Sequence, residues 1–402
     1  MIRAASLLAV AVALTAVGQD RPPAWPAVLD GYRAALRKGG IVGSSLLVVR
    51  NGQVIARQNE GLQNLGPAAA DAPGGGREPV TDDTIYHWAS ITKTFTGIAI
   101  MQLRDRGLLS LDDPVVKYVP ELRLAHNPFG DIAQVKIRHL MSHSAGFRAG
   151  TWPWGGDKPW HPFEPTSWDQ IVAMLPYTDV QFAPGSKYSY SNPGVIFLGR
   201  IIQTLSGDDY EVYVTKNILM PLGMRRAFFD RAPYYLLPHR SHSYLRSDGG
   251  LREASFDFDT GITVSNGGLN APFDDMARYL AFLAGDAARA DYEVVLKRAS
   301  LEEMWTPQIR ALEGEGVNGN DSQAALSFFV ERHPSARGAV ELVGHSGDQN
   351  GFISHLYLHR PSRTAWLISM NTDTTPAKDG TRLGSRQVDA AVRDLMLAHV
   401  IQ

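Results

Sequence analysis

The segment His87-Trp88-Ala89-Ser90-Ile91-Thr92-Lys93 opens a run of helical periodicity, with Ile91, Phe95, Ile98 and Ala99 on one face and Gly107 just past its end. The predicted helix covers residues 90–106, and Ser90 and Lys93, at i and i+3, share one face of it. A serine hydroxyl is a poor nucleophile until a base removes its proton. A lysine can be that base once burial or a neighbouring cation lowers its pKa. The helix N-terminus adds backbone N–H groups that favour negative charge developing nearby. Ser-x-x-Lys alone decides little, because ordinary composition yields roughly one by chance in a chain of this size. A capping serine beside an exposed lysine accounts for it equally well.

Two further stretches carry chemistry. Phe182-Ala183-Pro184-Gly185-Ser186-Lys187-Tyr188-Ser189-Tyr190-Ser191-Asn192 places Tyr190 and Asn192 in a loop just ahead of a predicted helix over residues 193–205. A tyrosine near an ammonium group can work as a base or a proton shuttle. An asparagine amide can hold a lysine and a substrate carbonyl at once. Gly344-His345-Ser346-Gly347-Asp348 lies at the end of a predicted strand, where backbone N–H groups can face an oxyanion and glycine permits close approach. Taken singly, these stretches also read as a capped loop and a strand-ending turn.

The surrounding pattern fixes the fold class. Residues 25–38 have helical spacing, and predicted strands 45–50 and 53–57 flank Asn51-Gly52, a hairpin signal. Residues 61–77, rich in Ala, Gly and Pro, read as a surface loop. Further helices are expected over 135–142, 168–175, 210–219 and 273–283. Segments 326–330, 340–343, 352–359 and 364–371 read as strands of an antiparallel sheet, followed by a helix over 385–399. The expectation is an α/β fold: an antiparallel sheet assembled from both ends of the chain and flanked by helices, with a mainly helical region over about 108–283 inserted between.

Composition narrows the function classes. The 402 residues carry 39 Lys+Arg against 41 Asp+Glu, a balance with no cue of a nucleic-acid partner or a polybasic membrane anchor. The absence of cysteine excludes thiol nucleophiles, cysteine-ligated zinc, disulfides and a lipoprotein anchor. Arg3, the apolar run 4–17 and the small residues Ala16 and Gly18 read as a signal peptide over residues 1–18. The run falls short of the about 20 residues that a membrane span needs. Residues 19–402 are expected to form a single exported catalytic domain, periplasmic or secreted, with no membrane span after cleavage. His139 and His143 have the spacing of a helical metal pair, but no glutamate follows His139 and no third ligand is evident, so neither metal nor cofactor is expected. Trp152, Trp154 and Trp160 lie in a stretch broken by proline and glycine, which reads equally as an acyl-pocket lining or as a self-packed loop.

In this order and at these spacings, the Ser90-Lys93, Tyr190-Asn192 and His345-Gly347 motifs resemble the serine β-lactamase/penicillin-binding-protein superfamily. Within it they most resemble the branch of class C β-lactamases, D-aminopeptidases and family VIII esterases. Ile137-Arg138-His139-Leu140-Met141-Ser142-His143-Ser144-Ala145-Gly146-Phe147 and Asn266-Gly267-Gly268-Leu269 agree, and the resemblance runs from about residue 30 onward. It implies a β-lactamase/transpeptidase-like fold and acyl transfer from a small-molecule or peptide ester or amide to water. Ser90 would become acylated, while Lys93 and Tyr190 share proton transfer. Asn192, His345, Ser346 and Gly347 would contact substrate, and the backbone N–H groups of Ser90 and Asp348 would form the oxyanion hole.

One departure bears on substrate. Where the β-lactamases carry Lys-Thr-Gly, this chain has His345-Ser346-Gly347. A histidine of ordinary pKa is mostly neutral at pH 7, so the attraction for a penicillin or cephalosporin carboxylate weakens. An esterase or D-amino-acid peptidase is therefore expected. A β-lactamase or D,D-carboxypeptidase and a non-catalytic peptidoglycan-fragment binder remain the alternatives.

Overall fold

The computed structural model describes residues 21–66, 77–147, 165–285, 290–311, 321–336 and 338–401. The expected signal peptide and Trp152, Trp154 and Trp160 lie outside the described residues.

The main sheet has nine strands, Gly43–Arg50 (β1), Gln53–Asn64 (β2), Glu78–Pro79 (β3), Ile309–Ala311 (β4), Asp321–Ala324 (β5), Phe329–Ser335 (β6), Gly338–Gln349 (β7), Phe352–His359 (β8) and Thr364–Met370 (β9). Their spatial order is β3-β2-β1-β9-β8-β7-β6-β5-β4, and the neighbours run antiparallel. The join between β1 and β9, with Leu46 opposite Ile368 and Val48 opposite Trp366, closes the sheet from the two ends of the chain, as the sequence suggested. The β1–β2 hairpin turns on Asn51 at φ 49° and Gly52 at φ 77°, the positive-φ pair that favours Asn-Gly.

Period-two alternation gives the sheet two apolar faces. Leu46, Val48, Trp366 and Ile368 pack against Val28 and Tyr32 of helix Trp25–Gly39 (α1) and Val388 and Val392 of the C-terminal helix Ser385–His399. Leu47, Val49, Ala365 and Leu367 lie in the larger core with Phe95 and Ile98 of Thr92–Asp105 (α2). That core extends to Phe197 of Asn192–Ser206 (α3) and to Tyr279 and Leu280 of Phe273–Ala284 (α4). Helices thus cover both faces; the C-terminal helix is termed α5 below.

Two expectations are corrected and one is refined. The inserted region is mainly helical as expected, and short strands run through it: Ser243–Ser247 pairs with Gly250–Ser255 and Thr372–Thr374, and Leu269–Pro272 with Ile85–His87 and Phe228–Phe229. Strands of two to six residues are too short to impose a readable period. The strand expected over 326–330 is instead largely the β5–β6 turn, with Ser327 at φ 62° and the Ala325 N–H donating to the Phe328 carbonyl at 2.8 Å. Finally, β2 continues to Asn64 and β7 to Gln349, so His345-Ser346-Gly347 lies within a strand rather than after one.

Gly344 is required by this packing, since a Cβ there would stand 2.0 Å from the Leu356 carbonyl oxygen of β8. Gly344→Ala is expected to destabilise the chain by more than about 2 kcal/mol, because backbone is slow to yield. Urea unfolding of the two proteins measures it; equal midpoints would show that β7 and β8 can spread at this point.

Candidate active site

Ser90 sits in the 3-10 turn Ala89–Ile91 that leads into α2, at the mouth of the helix rather than in its body. The turn begins with Ala89 at φ 47°, a left-handed conformation costing about 1–2 kcal/mol for an L-residue with a Cβ. Neighbours hold it there. The Trp88 N–H donates to the Leu269 carbonyl at 2.9 Å and the Trp88 indole to Ala271 at 3.0 Å. Thr92 Oγ1 donates to the Ala89 carbonyl at 2.6 Å and accepts the Leu269 N–H at 3.1 Å. Behind the turn lies β7, where a Cβ on Gly347 would fall 2.3 Å from the Trp88 carbonyl oxygen. Glycine is needed there for the strand to lie against the nucleophile turn.

Lys93 is 1% exposed. Its Nζ donates to Ser90 Oγ at 2.9 Å and to the Asn266 carbonyl at 2.8 Å, and stands 5.0 Å from the centroid of the Tyr190 ring. Neither hydrogen-bond partner is acidic, and burial pushes the amine well below the ordinary lysine pKa. Tyr190 also hydrogen-bonds Ser90, while burial outweighs that contact and raises the phenol above its usual pKa. At rest the site therefore favours an amine that can accept a proton and a phenol that keeps its own.

His143 supports this arrangement from below. Its ring stacks on Tyr190 with centroids 4.3 Å apart, its Nδ1 accepts the Ser191 N–H at 3.1 Å, and its carbonyl accepts the Ser189 N–H at 2.8 Å. Burial and the nearby Lys93 push its pKa well down. His139 is engaged separately, its Nδ1 accepting the Lys136 N–H at 3.3 Å.

His345 lies on the other side of Tyr190, ring centroids 6.3 Å apart, and meets Phe329 edge-on at 5.2 Å. Its Nδ1–H donates to the Ser346 carbonyl at 2.6 Å, and its buried Nε2 has no hydrogen-bond partner. Burial first, then Lys93, lowers its pKa to about 3, so it is neutral at pH 7. Ser346 is half-buried, and the Asp348 carboxylate is exposed beside Arg386 at 3.3 Å. β6 pairs with β7 only as far as Gly344, whereas β8 continues to Gln349. From His345 onward, one edge of β7 has no strand partner among the described residues, and this part of the strand packs against the Ser90 turn.

Of the residues singled out in the sequence, Ser90, Lys93, Tyr190, His345 and Gly347 come together around one point. Asn192 is placed differently from the expectation that it would hold Lys93. It is exposed in the first turn of α3, and the Lys93 amine bonds the Asn266 carbonyl instead. Asn266 also donates its amide to the Asn192 carbonyl at 3.4 Å. Nothing in the sequence marks Asn266 for this role, because a backbone acceptor leaves no mark in residue type.

An antiparallel sheet covered by helices on both faces and a serine–lysine site of this form define the serine β-lactamase/penicillin-binding-protein superfamily. The chain belongs to the Beta-lactamase family, whose sequence pattern matches residues 27–390. It is 30% identical over 209 residues to "Protein flp" of Staphylococcus aureus (strain NCTC 8325 / PS 47), a match covering 50% of this chain and 37% of that protein. The octameric penicillin-binding protein homologue from Pyrococcus abyssi superposes with TM-score 0.71 at 28% identity, over 93% of this chain and 77% of that one. A class C beta-lactamase superposes with TM-score 0.70 at 20% identity, over 92% and 95% of the two chains, and shows the likeness of fold.

The buried histidines set a pH dependence of stability. His345 at about 3, His87 at about 4 and His143, also depressed, stay neutral when folded but take up protons when unfolded below about 6.5. Their contribution to stability is thus lost as pH falls from 6.5 toward 4. Asp230 and Asp275, raised by burial to about 6, act in the opposite sense over part of that window. The histidine shifts are the larger, so the urea midpoint is expected to drop between pH 7 and pH 5. The slope should be shallower in His345→Asn, and an unchanged slope would mean that His345 titrates normally.

Proposed function

We propose that the chain is a serine hydrolase that cleaves ester or amide bonds through an acyl-enzyme on Ser90. The observation that carries this reading is the buried Lys93 amine at 2.9 Å from Ser90 Oγ, held by a carbonyl and not by an acid. A carboxylate partner would keep the lysine charged; a carbonyl in a desolvated setting lets it act as a base.

Lys93 takes the Ser90 proton as Oγ attacks the substrate carbonyl. The negative charge formed on the carbonyl oxygen meets the Ser90 and Asp348 backbone N–H groups, each such donor contributing about 10²–10³ in rate. Tyr190, protonated at rest, gives its proton to the leaving group and recovers one from Lys93. Water then attacks the ester, with the same pair moving its proton back, and Ser90 is released. Asn192, exposed at the mouth of α3, is free to meet the substrate carbonyl side. Export to the periplasm or the exterior, expected from residues 1–18, belongs to the same proposal.

The substrate class follows from charge. His345 is neutral where a β-lactamase places a lysine, so nothing at that position attracts a carboxylate. Short esters and amides, D-amino-acid amides and peptides among them, suit the site better than penicillins or cephalosporins. Hydrolysis of p-nitrophenyl butyrate and of a chromogenic cephalosporin, by the parent protein, Ser90→Ala and Lys93→Met, tests the reading. The ester should turn over well and the cephalosporin poorly, with kcat/KM for the ester reduced by at least about 10³-fold in both variants. Ester turnover that survives Ser90→Ala would remove the serine mechanism. A cephalosporin rate equal to the ester rate would make the chain a β-lactamase.

A further inference from the structure

Three residues before the nucleophile, His87 ends the short strand Ile85–His87, which pairs antiparallel with Leu269–Pro272 and sets His87 opposite Asn270. It is buried, and the proposed reaction leaves it unused. Its Nδ1 stands 3.0 Å from Asn270 Oδ1, and its Nε2 stands 3.0 Å from the side-chain amide of Gln349, the last residue of β7. Gln349 is two residues beyond Gly347 and so on the same face of the strand. The end of its side chain also rests against Gly267, where a Cβ would come within 2.7 Å of it. Gly267 follows Asn266, whose carbonyl holds Lys93. Among the described residues no second hydrogen bond runs between residues 87–91 and β7.

The surroundings fix which ring nitrogen carries the proton. The Asn270 amide donates to the carbonyls of Asp230 at 2.9 Å and Gly268 at 3.1 Å, so its oxygen faces His87 and Nδ1 is the protonated nitrogen. Burial, and after it the charge of Arg240, lowers His87 to about 4, so the ring is neutral at pH 7 and Nε2 is bare. A bare nitrogen accepts, so the Gln349 amide, half-turned to exchange its oxygen and nitrogen, presents its NH2 to the ring. Arg240 is buried over Phe352 at 5.2 Å and Phe258 at 5.9 Å, the two rings that also flank His87.

This chain of bonds joins the two segments that carry the oxyanion donors. Asn350 at φ 50° and Gly351 at φ 85° make a two-residue hairpin turn, so Gln349 and Phe352 are the backbone-bonded pair that closes it. Asp348, one residue back, therefore turns its N–H away from β8, to the free edge beside Ser90. Two such donors act together only when each stands about 2.7–3.1 Å from the place the charged oxygen will occupy. The contact of Gly347 with the Trp88 carbonyl limits how closely β7 approaches the turn but does not stop it from moving away. The bond to Gln349 does. We propose that His87 is a positioning residue: by binding Gln349 it holds the Asp348 N–H in line with the Ser90 N–H over the developing oxyanion. The inference rests on the serine hydrolase reading and extends it to a residue that touches no substrate.

The test uses p-nitrophenyl butyrate as substrate and butylboronic acid as inhibitor, which binds a serine as a tetrahedral adduct with an oxygen where the oxyanion forms. His87→Asn keeps a donor near the Nδ1 position for Asn270 and removes the nitrogen that Gln349 meets. Gln349→Leu removes the other partner at a half-buried strand end, where folding is little disturbed. Each is expected to lower kcat about tenfold and to raise the boronic acid Ki by a similar factor. KM should change less than about threefold, because the oxyanion forms in both acylation and deacylation. The double variant should fall less than about twofold below the poorer single one, and His87→Gln, which returns an acceptor toward Gln349, should recover part of the loss. A lower urea midpoint with kcat and Ki unchanged would make His87 purely structural and overturn the inference. Additive losses, a kcat loss without a Ki loss, or a parent protein that the boronic acid does not inhibit would overturn it as well. Ser90-dependent turnover that survives both substitutions removes this inference alone; turnover that ignores Ser90→Ala removes the reading on which it rests.

Discussion

The contact on which the site depends is that of a buried, desolvated lysine amine with a serine. Placing Lys93 Nζ against Ser90 Oγ achieves nothing if the amine is an ammonium ion, because an ammonium ion cannot take a proton. The fold therefore has to bury Lys93, keep acids away from it and still satisfy its hydrogen bonds. A single carbonyl, that of Asn266, meets the last requirement without restoring the charge. Such a site costs stability, since an amine that would be charged in water is held in a desolvated place.

The rest of the architecture can be understood as support for that pair. α2 supplies Lys93 from a fully buried turn, and the strained Ala89 re-aims Ser90 at the helix mouth. The strand Leu269–Pro272 holds the strained turn through Trp88 and also follows directly on the segment that carries Asn266. β7 brings its free edge in behind, at a distance that only Gly347 permits. Nucleophile, base and the strand edge thus come from three parts of the chain that meet where the large core and the sheet join. The proximity of two further neutral imidazoles, His143 and His345, keeps the surroundings of Lys93 polarisable without adding permanent charge.

Much of this was legible in the residues, though unevenly. The hairpin at Asn51-Gly52 and the long helices α1, α2, α3 and α5 stood out because each is long enough, or its turn chemistry specific enough, to leave a periodic mark. The paired strands within 228–272 did not, being too short for alternation to register. Ser90, Lys93, Tyr190 and the His345–Gly347 motif were found because their chemistry lies in side chains. The Asn266 carbonyl is not legible in the sequence, which points to Asn192 instead, because a main-chain acceptor looks the same under any residue. Likewise nothing in the sequence joined His87 to Gln349, whose meeting depends on how β7 packs against the Ser90 turn.

The ionisation of Lys93 tests the central claim most directly. Nitrogen-15 NMR titration of the lysine side chains, with the Lys93 signal assigned by its loss in Lys93→Arg, reports it without reference to any substrate. The account predicts a Lys93 amine that loses its proton well below the range of the exposed lysines. A Lys93 signal that titrates with them would leave Ser90 without a base and contradict the account.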